Sequence, residues 1–253
     1  MALLVNSSED GRAELLRWPS SWLAGAFEEY ARRVADPAQD YPCHFGVRGH
    51  RDGLNWFTML DADPAADHGV PDLAATMAKF ASYARTGPSR QTLIVFAGPP
   101  DPAPDYDRDA DRFWAVLSGL TAVDPRPWPA EWTTDVRDAG WQWCFGGEPW
   151  FVFGCSPAYR RRRSRNLGPC LTFVFQLRRV FENLSGSSPA GQAAKHQIRR
   201  GLARYDGVPV HPHLGDARHS SVYKWRQYLL PDDQRILAPE GCPFRVPGGS
   251  DGR

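Results

Sequence analysis

An α+β domain, a single unit with a central mixed or antiparallel sheet flanked by helices, is the fold class that this sequence predicts. Three observations carry that expectation. Runs rich in aromatic and β-branched residues recur at 91–97, 141–145, 150–153 and 170–176 and read as strands. Helix-periodic stretches lie among them, yet the two kinds of element neither alternate strictly nor segregate. The 253 residues contain no internal repeat and no evident linker, and are enough to bury a substantial core.

Taken in order, residues 1–18 are polar and read as a flexible N-terminus, 19–245 as the domain, and 246–253 as a flexible tail. Residues 19–34 place Trp22, Phe27, Tyr30 and Val34 on one helical face behind a serine cap. Tyr41-Pro-Cys-His-Phe-Gly46 reads as a sharp non-helical element, because Pro42 and Gly46 punctuate it. Residues 54–60 alternate loosely, like a strand. Residues 71–85 predict a second helix, with proline in its first turn and Gly87 beyond its end.

The clearest strand, 91–97, stops at Gly98-Pro-Pro, and a Pro/Asp-rich loop leads into a helix over about 108–120. The strands at 141–145 and 150–153 are joined by Gly146-Gly-Glu-Pro149, a hairpin-sized connection. An arginine run follows, then the strand at 170–176, a short helix at 180–184, a turn, and a basic helix at 192–205. The last 45 residues read as irregular and rich in proline, histidine and aromatics.

Thirty basic and 29 acidic residues give a net charge of +1, which argues against a nucleic-acid partner for the chain as a whole. No signal-like segment and no long apolar run occurs, so a cytoplasmic protein with no membrane partner is expected. Five cysteines without a CxxC pair argue against a zinc knuckle or a disulfide framework, and Cys144 and Cys170 read as small core residues. Ten tryptophans suit either a core or a pocket for a flat ligand. No dinucleotide fingerprint, phosphate-binding loop, nucleophile elbow or HExxH is present.

Chemistry concentrates in four places. Arg160 to Arg165, interrupted by Ser164 alone, sit between two strand-like stretches and form either a solvated loop or a site for carboxylate or propionate groups. His211, His213 and His219 fall within nine residues. In extended backbone a His-x-His pair points its rings to opposite faces, so the histidines read as surface or hydrogen-bonded groups or, as a cluster, as metal or heme ligands. Cys43 reads as a buried structural thiol or a pocket residue beside His44 and Phe45. Residues 224–231 read as an amphipathic strand that places Trp225 and Tyr228 in the core or at a pocket mouth.

Several of these motifs together resemble the YqcI/YcgG family. They are Tyr-Pro-Cys-x-Phe-Gly (41–46), Phe-x-Gly-x-x-Trp-Phe-Val (145–152), Pro-Ala-x-x-x-Arg-Arg-Ser-Arg (157–165), Asp-Gly-x-Pro-x-His-Pro-x-Leu-Gly (206–215), Lys-Trp-Arg-Gln-Tyr-Leu-Leu-Pro-Asp-Asp (224–233) and Cys-Pro-Phe (242–244). The resemblance implies a heme b (iron protoporphyrin IX) N-oxygenase of natural-product biosynthesis. Such an enzyme uses dioxygen or peroxide on the side-chain nitrogen of a free amino acid of arginine or lysine type, with an external reductase or ferredoxin as electron donor. A non-catalytic heme or small-molecule sensor is the alternative.

On the same resemblance His211 is the expected iron ligand, followed by His44 and His213, with His196 further off. Arg160, Arg162, Arg163 and Arg165 are expected at the propionates or the substrate carboxylate, and Cys43, Phe45, Trp225 and Tyr228 in the pocket. Asp52, Glu148 and Asp206 are candidate partners for the substrate's cationic nitrogen. Ser156 and Tyr159 stand in a segment where relatives often carry a histidine. The oligomeric state is open, a homodimer among the options.

Overall fold

The structure, a computed structural model, describes residues 3–61, 69–181, 188–214, 223–238 and 241–245. The stretch before Pro19, polar and loose by sequence, contributes β1 (Val5–Asn6) and α1 (Glu9–Leu16). Ser8 caps α1 by accepting from the Gly11 N–H, and Leu3, Val5 and Leu15 are buried. Helix α2 (Leu23–Val34) begins later than the serines at 20 and 21 suggest and has no side-chain cap, since Ser20 is held in a turn by Trp18 O.

Helix α3 (His44–Arg51) corrects the expectation of a non-helical turn at 41–46: Pro42 precedes it, Cys43 is its N-cap residue, and only 41–43 are non-helical. Its glycine at 49 is required by close packing, because a Cβ there would lie 2.6 Å from Asn55 Oδ1. Strand β2 (Asn55–Asp61), helix α4 (Val70–Thr86) and strand β3 (Thr92–Gly98) then form a parallel crossover unit. Helix α5 (Tyr106–Ala122) is capped by Asp105, whose carboxylate accepts from the Arg108 N–H.

The hairpin of β4 (Cys144–Phe145) and β5 (Glu148–Cys155) turns on Gly146 and Gly147 alone, at φ of +64° and +80°. That left-handed backbone explains the glycine pair. Strand β6 (Leu171–Leu177) and helix α6 (Pro189–Tyr205, capped by Ser188) complete the elements. The expected short helix at 180–184 is a 3₁₀ turn, Arg178–Phe181, and the remainder of that stretch lies outside the described residues.

The sheet is mixed, in the order β1-β2-β3-β6-β5-β4, with β2 and β3 parallel and the other pairs antiparallel. Side chains alternate across it. Leu93, Val95, Phe173, Phe175, Trp150 and Val152 face one core with α4 and α5. Phe57, Ile94, Phe96 and Val174 face a second core with α2. The first face is closed by tryptophans at 141, 143 and 225 and is fully packed. The second face is not.

Candidate functional site

The second face of the sheet carries a cavity of about 350 Å³. Its floor is the outward row of the strands, Asn55, Thr92, Ile94, Phe151, Phe153, Val174 and Gln176. Tyr30 and Val34 of α2 and Cys43, Phe45 and Gly46 at the start of α3 form one wall. The roof is α6: Gly191, Ala194, Lys195, Ile198, Arg199 and Leu202 recur at helical spacing along one stripe that faces the floor. Gly191 alone of that stripe is buried, so among the described residues the apolar side of α6 faces the cavity and not packed side chains. The size falls within the ~300–1,000 Å³ of small-molecule sites.

Asn55 fixes the corner where floor and wall meet. It is buried, and its amide donates to the Tyr30 hydroxyl at 3.1 Å and to Gly46 O at 3.0 Å, tying α2 and α3 to β2. Tyr41 closes the inner end, donating to Ser164 O at 3.1 Å. Cys43 makes no capping hydrogen bond. It lines the cavity and is half-buried. Burial raises the thiol pKa, opposed by the N–H groups of Gly46 and Phe45 and by the positive charge of Arg165.

Charge at the rim comes from Arg90, Lys195 and Arg199. Arg90 has left-handed backbone, φ +70°, and its guanidinium lies over the Phe45 ring, 4.9 Å from the centroid. Arg199 donates to Leu214 O. These three cations carry no sequence signal beyond the basic character of α6, and sequence reasoning missed all of them.

The arginine run is placed elsewhere. The main-chain N–H groups of Arg160, Arg161 and Arg162 converge on the carboxylate of Asp232 at 2.7–3.2 Å. An anion is bound there, and it is the chain's own. Arg162, only 1% exposed, donates from Nε to Pro231 O and from Nη2 to Asp233 O. Arg163 donates to Tyr205 O and stacks on that residue's ring.

Arg165 donates to Gln227 O at 3.1 Å and, at 3.5 Å, to Gly154 O and Tyr228 O, with its guanidinium over Phe153. It therefore stands one layer behind the cavity wall. None of the four arginines named from the sequence is on the cavity lining.

The histidines separate as well. His211 and His213 are both buried, and the 3₁₀ turn Pro212–Leu214 brings their rings to 4.5 Å instead of the opposed directions of extended backbone. His211 Nδ1 accepts from the His213 N–H at 3.0 Å and Nε2 faces Arg235 O at 3.2 Å, while His213 Nε2 accepts from Leu237 N–H at 3.0 Å. Burial pushes both imidazoles down to about 4. His44 is half-buried against Phe45, outside the lining, and His196 is on the exposed side of α6. His219 lies outside the described residues.

Of the expected pocket residues, Cys43 and Phe45 line the cavity, whereas Trp225 and Tyr228 belong to the opposite core. Residues Lys224–Gln227 form a 3₁₀ turn, not a strand. Tyr228 Oη accepts from Trp143 N–H and donates to Trp150 O. Ser156 donates to Asp109 at 2.5 Å and Tyr159 to Leu230 O, so both serve the arginine loop's scaffold. Asp52 pairs with Arg48 and Arg51, Glu148 with Arg85, and Asp206 accepts from Ser164; none of the three lines the cavity.

Among the described residues no group of three or more metal-binding side chains converges. No described helix is long and apolar enough to cross a membrane.

Comparison with known proteins gives consistent matches. The profile of the YqcI/YcgG family matches residues 30–245. "Uncharacterized protein YcgG" of Bacillus subtilis is 33% identical over 227 residues, 88% of this chain and 88% of that protein. "Uncharacterized protein YqcI" of the same organism is 30% identical over 226 residues, 88% of this chain and 87% of its own. A Streptomyces lavendulae protein named "Putative N(omega)-hydroxy-L-arginine synthase DcsA" is 31% identical over 234 residues, 90% of this chain and 86% of its own. No solved structure matches the chain.

Proposed function

The chain belongs to the YqcI/YcgG family, and on that premise we propose that it is a heme-dependent N-oxygenase of free arginine or a related amino acid. The observation that carries this reading is the relative named for N(omega)-hydroxy-L-arginine synthesis, aligned over 90% of this chain. The cavity supports it. Ile94, Val174 and Phe153 offer an apolar floor for a macrocycle, the α6 stripe an apolar roof, and Arg90, Lys195 and Arg199 cations for peripheral carboxylates. Those residues fit a porphyrin, which would supply the activation of dioxygen or peroxide.

The protein's own part is binding and exclusion. Apolar walls would keep water from the reacting nitrogen, and a cation at the mouth, Arg90 or Arg199, would pair with the substrate's α-carboxylate. The nitrogen reacts through its lone pair, and a desolvated, cation-rimmed cavity opposes its protonated form. Asn55 and Tyr30 hold the corner rigid. In the balance of the reaction one oxygen atom of dioxygen enters the N–O bond. The other leaves as water, with two electrons and two protons from an external donor. With hydrogen peroxide the same product forms with water and no donor.

The test is incubation of the hemin-loaded protein with L-arginine and either oxygen plus a reductant or peroxide, followed by mass spectrometry. A product one oxygen heavier, oxygenated on the guanidine, is the expected result. Heme uptake with no oxygenated arginine or lysine would make the protein a binder and reject the enzymatic reading.

A further inference from the structure

We infer that Cys43, and not a histidine, is the iron ligand, through its sulfur on the wall of the cavity beneath α6. The inference rests on the heme reading above and specifies how this chain would hold the metal.

The cavity itself is the first observation. A 17-residue helix directs Ala194, Ile198 and Leu202 at volume that no described side chain fills, across from a floor of Ile94, Val174 and Phe153. A flat apolar ligand with acidic edges matches walls of this kind, whose cations are confined to the rim.

The donors on its wall are the second. Among the described lining residues, the oxygen and sulfur groups able to bind iron as anions are Tyr30, Tyr41 and Cys43. Tyr30 Oη is held by Asn55, and Tyr41 Oη is committed to Ser164 O. Cys43 Sγ makes no capping hydrogen bond. Thiolate is also the softest of the three donors and an established heme ligand type.

The histidines are the third. An imidazole ligates through a nitrogen lone pair. In His211 Nδ1 spends its lone pair on the His213 N–H, which leaves Nε2 as the N–H donor to Arg235 O. His213 uses Nε2 as an acceptor from Leu237. Both are buried between main-chain partners and lie off the cavity lining. Recruiting either would break a packed network, whereas the N–H groups of Phe45 and Gly46 beside the Cys43 sulfur can remain in place when it binds.

The surroundings of the sulfur suit a metal-bound thiolate. Binding iron as the thiolate would release the thiol proton. The N–H groups of Phe45 and Gly46, in the first turn of α3, and the fixed charge of Arg165 then stabilise the anion. This gives the last arginine of the run a role in the site: it is a positioning residue behind Phe153 whose field acts on the sulfur. A thiolate ligand donates electron density to iron and favours O–O cleavage.

The experiment uses the full chain loaded with hemin, reduced with dithionite and exposed to carbon monoxide. The strongly red-shifted Soret band of a thiolate-ligated ferrous carbonyl is expected in wild type and in His211→Ala. Cys43→Ala should lose it, and Cys43→His should replace it with an imidazole-type band, with far-UV circular dichroism unchanged in both. An imidazole-type band in wild type, or retention of the red-shifted band in Cys43→Ala, overturns the assignment while leaving the heme reading standing. Failure of wild type to take up hemin overturns both.

Discussion

At the residue scale, the arginine run shows how far a sequence pattern can fix chemistry without fixing direction. Five arginines beside aromatic strands imply an anion, and an anion is bound, but it is Asp232, taken up by main-chain N–H groups. Apart from the long contact of Arg165 to Gly154 O, the guanidinium partners of Arg162 and Arg165 are carbonyls of residues 227–233, far along the chain, so no local pattern could reveal that these side chains turn inward. Arg162→Ala would leave buried carbonyls unpaired and should lower stability by about 2–4 kcal/mol in urea unfolding. Arg160→Ala should leave the midpoint where it is, because Arg160 contributes its N–H, which alanine retains. The buried histidines give a pH dependence of definite sign. His211 and His213 titrate near 4 in the folded chain, against about 6.5 when unfolded. Between those values the unfolded chain binds more protons, so stability should fall as pH drops from about 6.5 to about 4 and then level off. The loss is at most roughly 3 kcal/mol per histidine. Urea midpoints across that range measure it, and a His211→Asn, His213→Asn variant should flatten the profile.

At the element scale, periodicity located α2, α4, α5 and the main strands to within a few residues, because their apolar faces are buried in the expected spacing. It failed where packing overrides local signals. Helix α3 forms despite two glycines, since Gly49 admits the Asn55 side chain and Gly46 O accepts from the same amide. Gly49→Ala would drive a methyl group to 2.6 Å from Asn55 Oδ1. The expected loss is about 1–3 kcal/mol, seen as a lower denaturation midpoint. Because Asn55 also braces Tyr30 and the first turn of α3, that variant should in addition weaken hemin binding in a spectroscopic titration. Segment 224–231 failed for a different reason: its basic and aromatic residues suggested an amphipathic strand, while the 3₁₀ turn Lys224–Gln227 buries Trp225, Arg226 and Tyr228 together.

At the scale of the whole molecule, the cavity exists only because the sheet has two unequal faces. One is closed by α4, α5 and a tryptophan layer; the other carries α2 and α3 along one side and α6 across the top. The motif at 41–46 was readable as a thiol in a tight turn, and 192–205 was readable as a basic helix. That they face each other over β3, β5 and β6 follows from chain topology, which spacing does not encode. The same geometry makes α6 dependent on what lies beneath it. With Ala194, Ile198 and Leu202 directed at open volume, the helix gains little from burial in the empty protein and should open locally at low free-energy cost. A ligand that fills the cavity supplies the missing contacts and binds only the folded chain. At a hundredfold excess over its dissociation constant it should add about 2.7 kcal/mol of stability. Hydrogen exchange followed by mass spectrometry should then show hemin slowing the amides of Pro189–Tyr205 far more than those of α5, which is packed against the opposite face. The substitution Ile198→Trp, which puts an indole into the cavity, should slow the same amides without hemin and lower the protein's capacity to take it up. Equal protection of both helices by hemin would place the ligand somewhere other than beneath α6.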